Sequence, residues 1–171
     1  HEVRRLASSG LGFESETRMV VNVGLWSSQY STRPARNAFV NLAGERLRAV
    51  PGVQSVAVAG TIPLLGPPPT TVLNEGQRIE TEVAAVSPTY FSVLEIPVVR
   101  GRVFTAESPD EAVVSRSFAV RMWGAQEPLG QRVKLGRTVT VVGVVNDVVT
   151  RASTQNLPQV YLPFEANARV W

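Results

Sequence analysis

Apolar and polar positions alternate across residues 19–26, with Val21, Val23 and Leu25 on one face and Val20, Asn22 and Gly24 on the other. A period of two predicts a strand. Residues 29–34 are a polar break in which Ser31 or Thr32 caps a helix and Pro34 falls in its first turn. Ala35, Ala38, Phe39, Leu42, Ala43 and Leu47 then recur at helical spacing, with Arg36, Glu45, Arg46 and Arg48 mostly on the other side. Val50-Pro51-Gly52 stops the helix, and 53–59 reads as a second strand. Strand, helix and strand with short links predict a right-handed βαβ unit. Pro63, Gly66, Pro67, Pro68 and Pro69 then make 61–71 an exposed loop, since this composition builds neither ladder nor helix.

The second half carries more strands. Residues 72–82 predict a strand with a turn at Asn74-Glu75-Gly76, and 82–86 another. Ser87 as cap and Pro88 at the first helical position open a short helix whose Tyr90, Phe91 and Leu94 face the core, ended by Pro97. Residues 96–104 are extended with a turn at Arg100-Gly101, 112–114 form a strand, and Ser115 caps a helix over 117–123. Residues 131–135 and 138–145 predict a hairpin about Gly136-Arg137, the second strand being buried on both faces. Residues 159–162 are a last short strand between Pro158 and Pro163. The expected class is α+β with an antiparallel or mixed sheet.

At 171 residues, with 44% hydrophobic and 18% charged, the chain is ordinary globular material, large enough for one domain or two small ones sharing a core. There is no cysteine, so disulfides and thiolate metal sites are excluded. The bases are 16 arginines and one lysine, Lys134, scattered along the chain and not clustered with aromatics. That argues for a solvated surface and against nucleic-acid binding. No apolar run approaches the ~18 residues of a membrane helix, and 1–10 has no signal-peptide core.

The chemistry-bearing residues are few. The one histidine, His1, is terminal, which argues against a histidine triad or general base. Asp110-Glu111 in a loop and Glu80 with Glu82 on a strand make no calcium-loop pattern and read as solvated charge. Residues 130–138 are a near miss to a phosphate-binding loop, but Arg137 follows Gly136 where lysine is required, and a strand follows where a helix is required. Asn146-Asp147 reads as a strand-end turn whose side chains bond nearby backbone. Trp26, Trp123 and Tyr161 read as core or core edge. No catalytic, metal or cofactor residue is expected. Leu64, Leu65, Pro67, Pro68 and Pro69 are the candidate contact for a partner.

Three blocks carry a resemblance. They are Val86-Ser87-Pro88-Thr89-Tyr90-Phe91 with Ile96-Pro97 and Arg100-Gly101-Arg102-Val103-Phe104, then Glu127-Pro128-Leu129-Gly130, then Val141-Val142-Gly143-Val144-Val145-Asn146-Asp147-Val148. With Pro158-Gln159-Val160-Tyr161-Leu162-Pro163, and in the first half Tyr30, Phe39 and Pro51-Gly52-Val53, the chain over 12–164 resembles the extracytoplasmic core domain of MacB/FtsX-type ABC transporter permeases.

The resemblance implies a two-lobed domain. A βαβ lobe would take 12–66, about 105–125 and 158–164, and a mainly β lobe inserted in it would take about 67–104 and 126–157. It implies the periplasmic face of a bacterial inner membrane, with transmembrane helices of the same permease, a separate ATPase subunit or domain, a dimer partner and a periplasmic adaptor. The domain would transmit ATP-driven motion and contact substrate or partners during export. The family continues past the Tyr-Leu-Pro strand, so an edge is expected to be left unpaired. With neither signal peptide nor membrane helix, and with His1 in first place, the chain is expected to be cut from a longer one. The alternative is a free-standing secreted ligand-binding module without enzymatic activity, which requires a closed apolar pocket.

Overall fold

The computed structural model describes residues 2–5, 18–25, 28–61, 69–74, 76–149 and 157–164. The elements are β1 (Glu2–Arg5), β2 (Met19–Asn22), α1 (Arg33–Arg48), β3 (Thr70–Asn74), β4 (Gln77–Val86), α2 (Tyr90–Val93), β5 (Val98–Gly101), β6 (Glu111–Ser115), α3 (Arg116–Trp123), β7 (Arg132–Leu135), β8 (Arg137–Val145) and β9 (Gln159–Pro163). Strands β1 and β2 pair antiparallel as a separate two-stranded sheet. The remaining strands run β5-β8-β6-β9-β4-β3-β7, and a further β7–β8 pairing closes six of them into a barrel-like ring. The sheet is mixed, because β4/β9 and β6/β8 are parallel and the other pairs antiparallel.

Every strand of the ring sends a buried residue inward: Val72, Val83, Val114, Val133, Val139 and Val160, among others. Helix α3 meets this core through Phe118, Ala119 and Met122. A second core lies on the outer face of β4, β6, β8 and β9, where Val86, Val113, Val145 and Tyr161 pack under α2. A bulge in β8 serves both cores. Ala112 pairs with Val141 but Val113 with Gly143, so Val142 has no partner on β6 and the alternation shifts by one. Val139, Val141 and Val144 therefore face inward and Val145 outward. This is the two-sided burial that the β-branched run of 138–145 predicts.

The same run needs its glycine. Strand β5 lies on the edge of β8 that β7 uses lower down, pairing Gly101 with Gly143 and Val98 with Val145. A Cβ on Gly143 would stand 2.1 Å from the Arg102 carbonyl oxygen, and one on Gly101 would stand 2.3 Å from that of Val142. Both obstacles are backbone, and Gly101 also has φ +67°. Two chain segments thus touch without side chains between them, which explains glycine in both Arg-Gly-Arg and Val-Val-Gly-Val-Val. Among the described residues strand β5 pairs with β8 alone, and its register skips Val99.

Helix α3 starts where the sequence predicts. The Ser115 hydroxyl accepts from the Phe118 N–H at 3.3 Å and from the Gln159 N–H at 2.9 Å, tying β6, α3 and β9 together. Asp147 is more than a local turn former. Its Oδ1 accepts the Ser117 N–H at 3.0 Å, adding negative charge at the α3 N-terminus. The hairpin of β7 and β8 pairs Leu135 with Arg137 about Gly136, and β9 follows Pro158 as expected and takes in Pro163, which pairs with Val86.

Two expectations are corrected. Residues 53–58 form no strand, and Ala59 makes only an isolated bridge to Val86, so the first βαβ unit does not form. The backbone of this segment is engaged by α2's flank, and β2 pairs with β1. Helix α1, capped by Thr32 and packed on Tyr30 through Phe39 at 5.2 Å, leaves Leu42 and Leu47 exposed. Strands β6 and β9 share one sheet with β3, β4, β7 and β8. Second, Glu82 is 1% exposed and not solvated, because β4 is an interior strand on which Glu82 is flanked by the buried Gln159 of β9.

Gly143→Ala is expected to lower stability by about 3 kcal/mol or more, because backbone on both sides must move. Gly76→Ala, with open space around its φ of +86°, should lose only about 1–2 kcal/mol. Urea denaturation of the two variants checks the difference, and equal losses would refute the backbone contact as its cause.

Candidate functional site at helix α2

Residues 87–96 hold a single helical turn to the sheet by aromatic packing. Phe91 meets Tyr161 edge-on at 5.2 Å and Phe104 at 6.0 Å, and Tyr90 lies 6.1 Å from Tyr161. Such pairs contribute about 0.5–1.5 kcal/mol each beyond area burial. Leu94 and Ile96 complete the same core.

Ser87 does not cap α2 as the sequence predicts. Thr89 is the N-cap, with αR backbone and no side-chain cap bond. The two hydroxyls instead grip the segment that leaves α1. Ser87 Oγ accepts from the Val58 N–H at 2.9 Å, the Ser87 N–H donates to the Val58 carbonyl at 2.8 Å, and Thr89 Oγ1 donates to the Val56 carbonyl at 3.0 Å. The Gly60 N–H adds a bond to the Ala85 carbonyl at 2.8 Å.

The other end of α2 closes in a Schellman turn. The Ile96 N–H donates to the Phe91 carbonyl at 2.8 Å and the Glu95 N–H to Ser92 at 3.2 Å. Glu95 occupies the left-handed position, φ +53°, where glycine or asparagine fits best. Its side chain meets Arg18, immediately before β2. Arg18 Nη2 lies 2.7 Å from Glu95 Oε1, and Arg18 Nε donates to the Val93 carbonyl. The start of β2 is thereby joined to one end of α2, and the exit of α1 to the other.

The phenols of this core are shifted. Burial pushes Tyr90 up, and it pushes Tyr161 well up, with Tyr90, Glu82 and Asp147 adding charge repulsion. The Tyr161 hydroxyl is buried with no hydrogen-bond partner among the described residues. Outside the core, Arg102 fixes Glu111 with Nη1 2.8 Å from Oε2, and that hydrogen bond holds the carboxyl below its usual range.

Of the residues expected to meet a partner, Leu64, Leu65, Pro67 and Pro68 lie outside the described residues, and Pro69 is exposed. Trp26 is also outside them. Trp123 packs on Phe118 at 5.8 Å and Tyr161 is in the outer core. Asp110 is exposed and lies 3.9 Å from Arg137. Among the described residues no three His, Cys, Asp or Glu could hold a metal ion together. Sequence reasoning missed Arg18, whose partner is 77 residues away, and the grip of Ser87 and Thr89. The polar residues flanking Pro88 were the available signal for that grip.

The model of the MacB-like periplasmic core domain matches residues 6–171, and the chain belongs to that family. It is a periplasmic or extracellular domain of a MacB/FtsX-type ABC transporter permease, and the domain class is non-catalytic. Among solved structures, the periplasmic region of MacB from Actinobacillus actinomycetemcomitans is similar at 19% identity and TM-score 0.58, over 74% of this chain and 55% of that one. The extracellular domain of the noncanonic ABC-type transporter YknZ from Gram-positive bacteria is similar at 23% identity and TM-score 0.55, over 70% and 59%. A permease-protein domain from Porphyromonas gingivalis is similar at 21% identity and TM-score 0.51, over 67% and 52%. These likenesses show the fold, and the chain spans just over half the length of each. No curated protein sequence matches the chain. Among the described residues no helix is long and apolar enough to cross a membrane.

Two outcomes are expected. A phenol whose folded pKa is raised contributes stability that is complete below its unfolded pKa of about 10 and is lost as pH rises through the folded value. Stability should therefore fall above about pH 10, and Tyr161→Phe should remove part of that slope while leaving the pH 7 value unchanged or higher. Urea titrations at pH 7 and at alkaline pH read both, and a large loss at pH 7 would show that the hydroxyl has a partner. Ser87→Ala should speed amide exchange at Val58 at least about tenfold, and exchange as slow as wild type would refute the grip.

Proposed function

We propose that this domain relays ATP-driven motion of a permease's membrane helices to substrate or to periplasmic partners during export, and that α2 is the coupling element. One observation carries the reading. The start of β2 and the exit of α1 are both hydrogen-bonded to opposite ends of the same helical turn, which is itself packed on the ring. Displacement of either segment loads α2 first. In this reading the two lobes are those the resemblance implies, 12–66 with about 105–125 and 158–164, and about 67–104 with 126–157. The ATPase and the transmembrane helices supply the work, a second permease subunit pairs with the first, and the domain faces the periplasm from the inner membrane. The segment with Leu64, Leu65, Pro67, Pro68 and Pro69 contacts the adaptor.

Likeness to the periplasmic region of MacB and the extracellular domain of an ABC-type transporter supports this reading. The test uses the full permease with its ATPase in membrane vesicles. S87A combined with E95A should leave ATP hydrolysis within about twofold of wild type and reduce export about tenfold, a coupling energy of ordinary allosteric size. Export at the wild-type rate, with exchange data showing the segment at Val58 released, would overturn the relay through α2.

A further inference from the structure

We propose that the outer face of β4, β3 and β7 is a docking surface for an acidic, extended polypeptide segment of a partner protein. Its basis is the placement of cations that no acidic group among the described residues neutralises, and it does not depend on the relay at α2.

Three arginines elsewhere on the sheet and its flanks have acidic company. Arg100 pairs with Glu127 at 3.3 Å, Arg102 with Glu111, and Arg137 lies 3.9 Å from Asp110. By contrast, Arg78, Arg121, Arg132 and Lys134 make no ion pair or hydrogen bond with any described residue. These four are neighbours. Leu73 of β3 pairs with Arg78 on one side and Lys134 on the other, and these three side chains share the outward face, opposite the buried Val72, Ile79 and Val133. Arg132 follows on the same face of β7, and Arg121 of α3 lines a shallow open depression with Arg78, Ile79 and Glu80.

Leu73 at the centre is 50% exposed. Thr71 and Thr138 add exposed hydroxyls on the same face. Arg78 and Lys134 are two strand spacings apart, about 10 Å. On an extended chain alternate side chains face one way about 7 Å apart, so carboxylates at i and i+2 meet the flexible Arg78 and Lys134 side chains on either side of Leu73. Guanidinium and ammonium groups flanking one apolar anchor suit a carboxylate-bearing peptide. Glu80 in the same array repels a uniformly anionic surface such as lipid, but is compatible with a protein segment that mixes acidic and neutral residues.

The test is fluorescence anisotropy of a labelled glutamate-rich peptide against this chain at low salt, beside sedimentation with phosphatidylglycerol vesicles. R78E/K134E should weaken peptide binding about tenfold or more, whereas R46E/R48E on α1, with the same change in net charge, should weaken it less than about twofold. R78Q/K134Q, which removes charge without adding repulsion, should follow the same order to a smaller degree. Equal losses from the two reversal pairs would overturn the proposal, because net charge alone would then account for binding. Vesicle binding as tight as peptide binding, abolished by R78E/K134E, would also overturn it in favour of a lipid surface.

Discussion

The contact between the Arg102 carbonyl and the Cα of Gly143 is the constraint on which the rest of this domain turns. It is backbone against backbone, with room for no side chain on either glycine. It lets β5 cross from the ring onto the outer edge of β8. That path delivers Phe104 to the outer core, where Phe104 and Tyr161 form the bed for Phe91. Without the close crossing, β5 would stand off, Phe104 would withdraw, and α2 would lose its support. A steric rule at two glycines thus reaches the element that receives both N-terminal attachments.

Helix α2 is short for its task, and its position depends on packing more than on propensity. A single turn has almost no intrinsic helical stability. Tyr90, Phe91 and Leu94 hold it from below, and Ser87, Thr89 and Glu95 reach out from its two ends. Glu95 tolerates a left-handed backbone that suits glycine, and its carboxylate holds Arg18. The ion pair is partly exposed, so its contribution to stability is modest, within about 1 kcal/mol. Its value lies in fixing where β2 begins relative to the ring.

What was legible in the chain was mostly local. Ser115 before an apolar helix, Gly136 between two β-rich runs and prolines on either side of 159–162 announced β6–α3, β7–β8 and β9 correctly, because each signal acts on its own neighbours. The signature blocks also pointed to the family. Features set by distant partners stayed hidden. The segment 53–58 has the composition of a strand, but its backbone groups are engaged by Ser87 and Thr89. Glu82 looks solvated until β9 is laid beside β4. The bulge at Val142 and the closure of β7 on β8 depend on how several strands meet, and no single stretch of sequence encodes that. Ser87 was singled out, but for a bond within its own helix when its true partner lies 29 residues earlier.

The skipped register at Val99 has a consequence for behaviour at high concentration. Among the described residues strand β5 pairs on one side only, and Val98 and Val99 show apolar surface there. A flat flank of that kind is a template for stacking of molecules into fibrils. The kink at Val99 puts successive amide donors and acceptors out of phase with any straight incoming strand. The irregular register therefore opposes addition of a straight strand to this apolar rim.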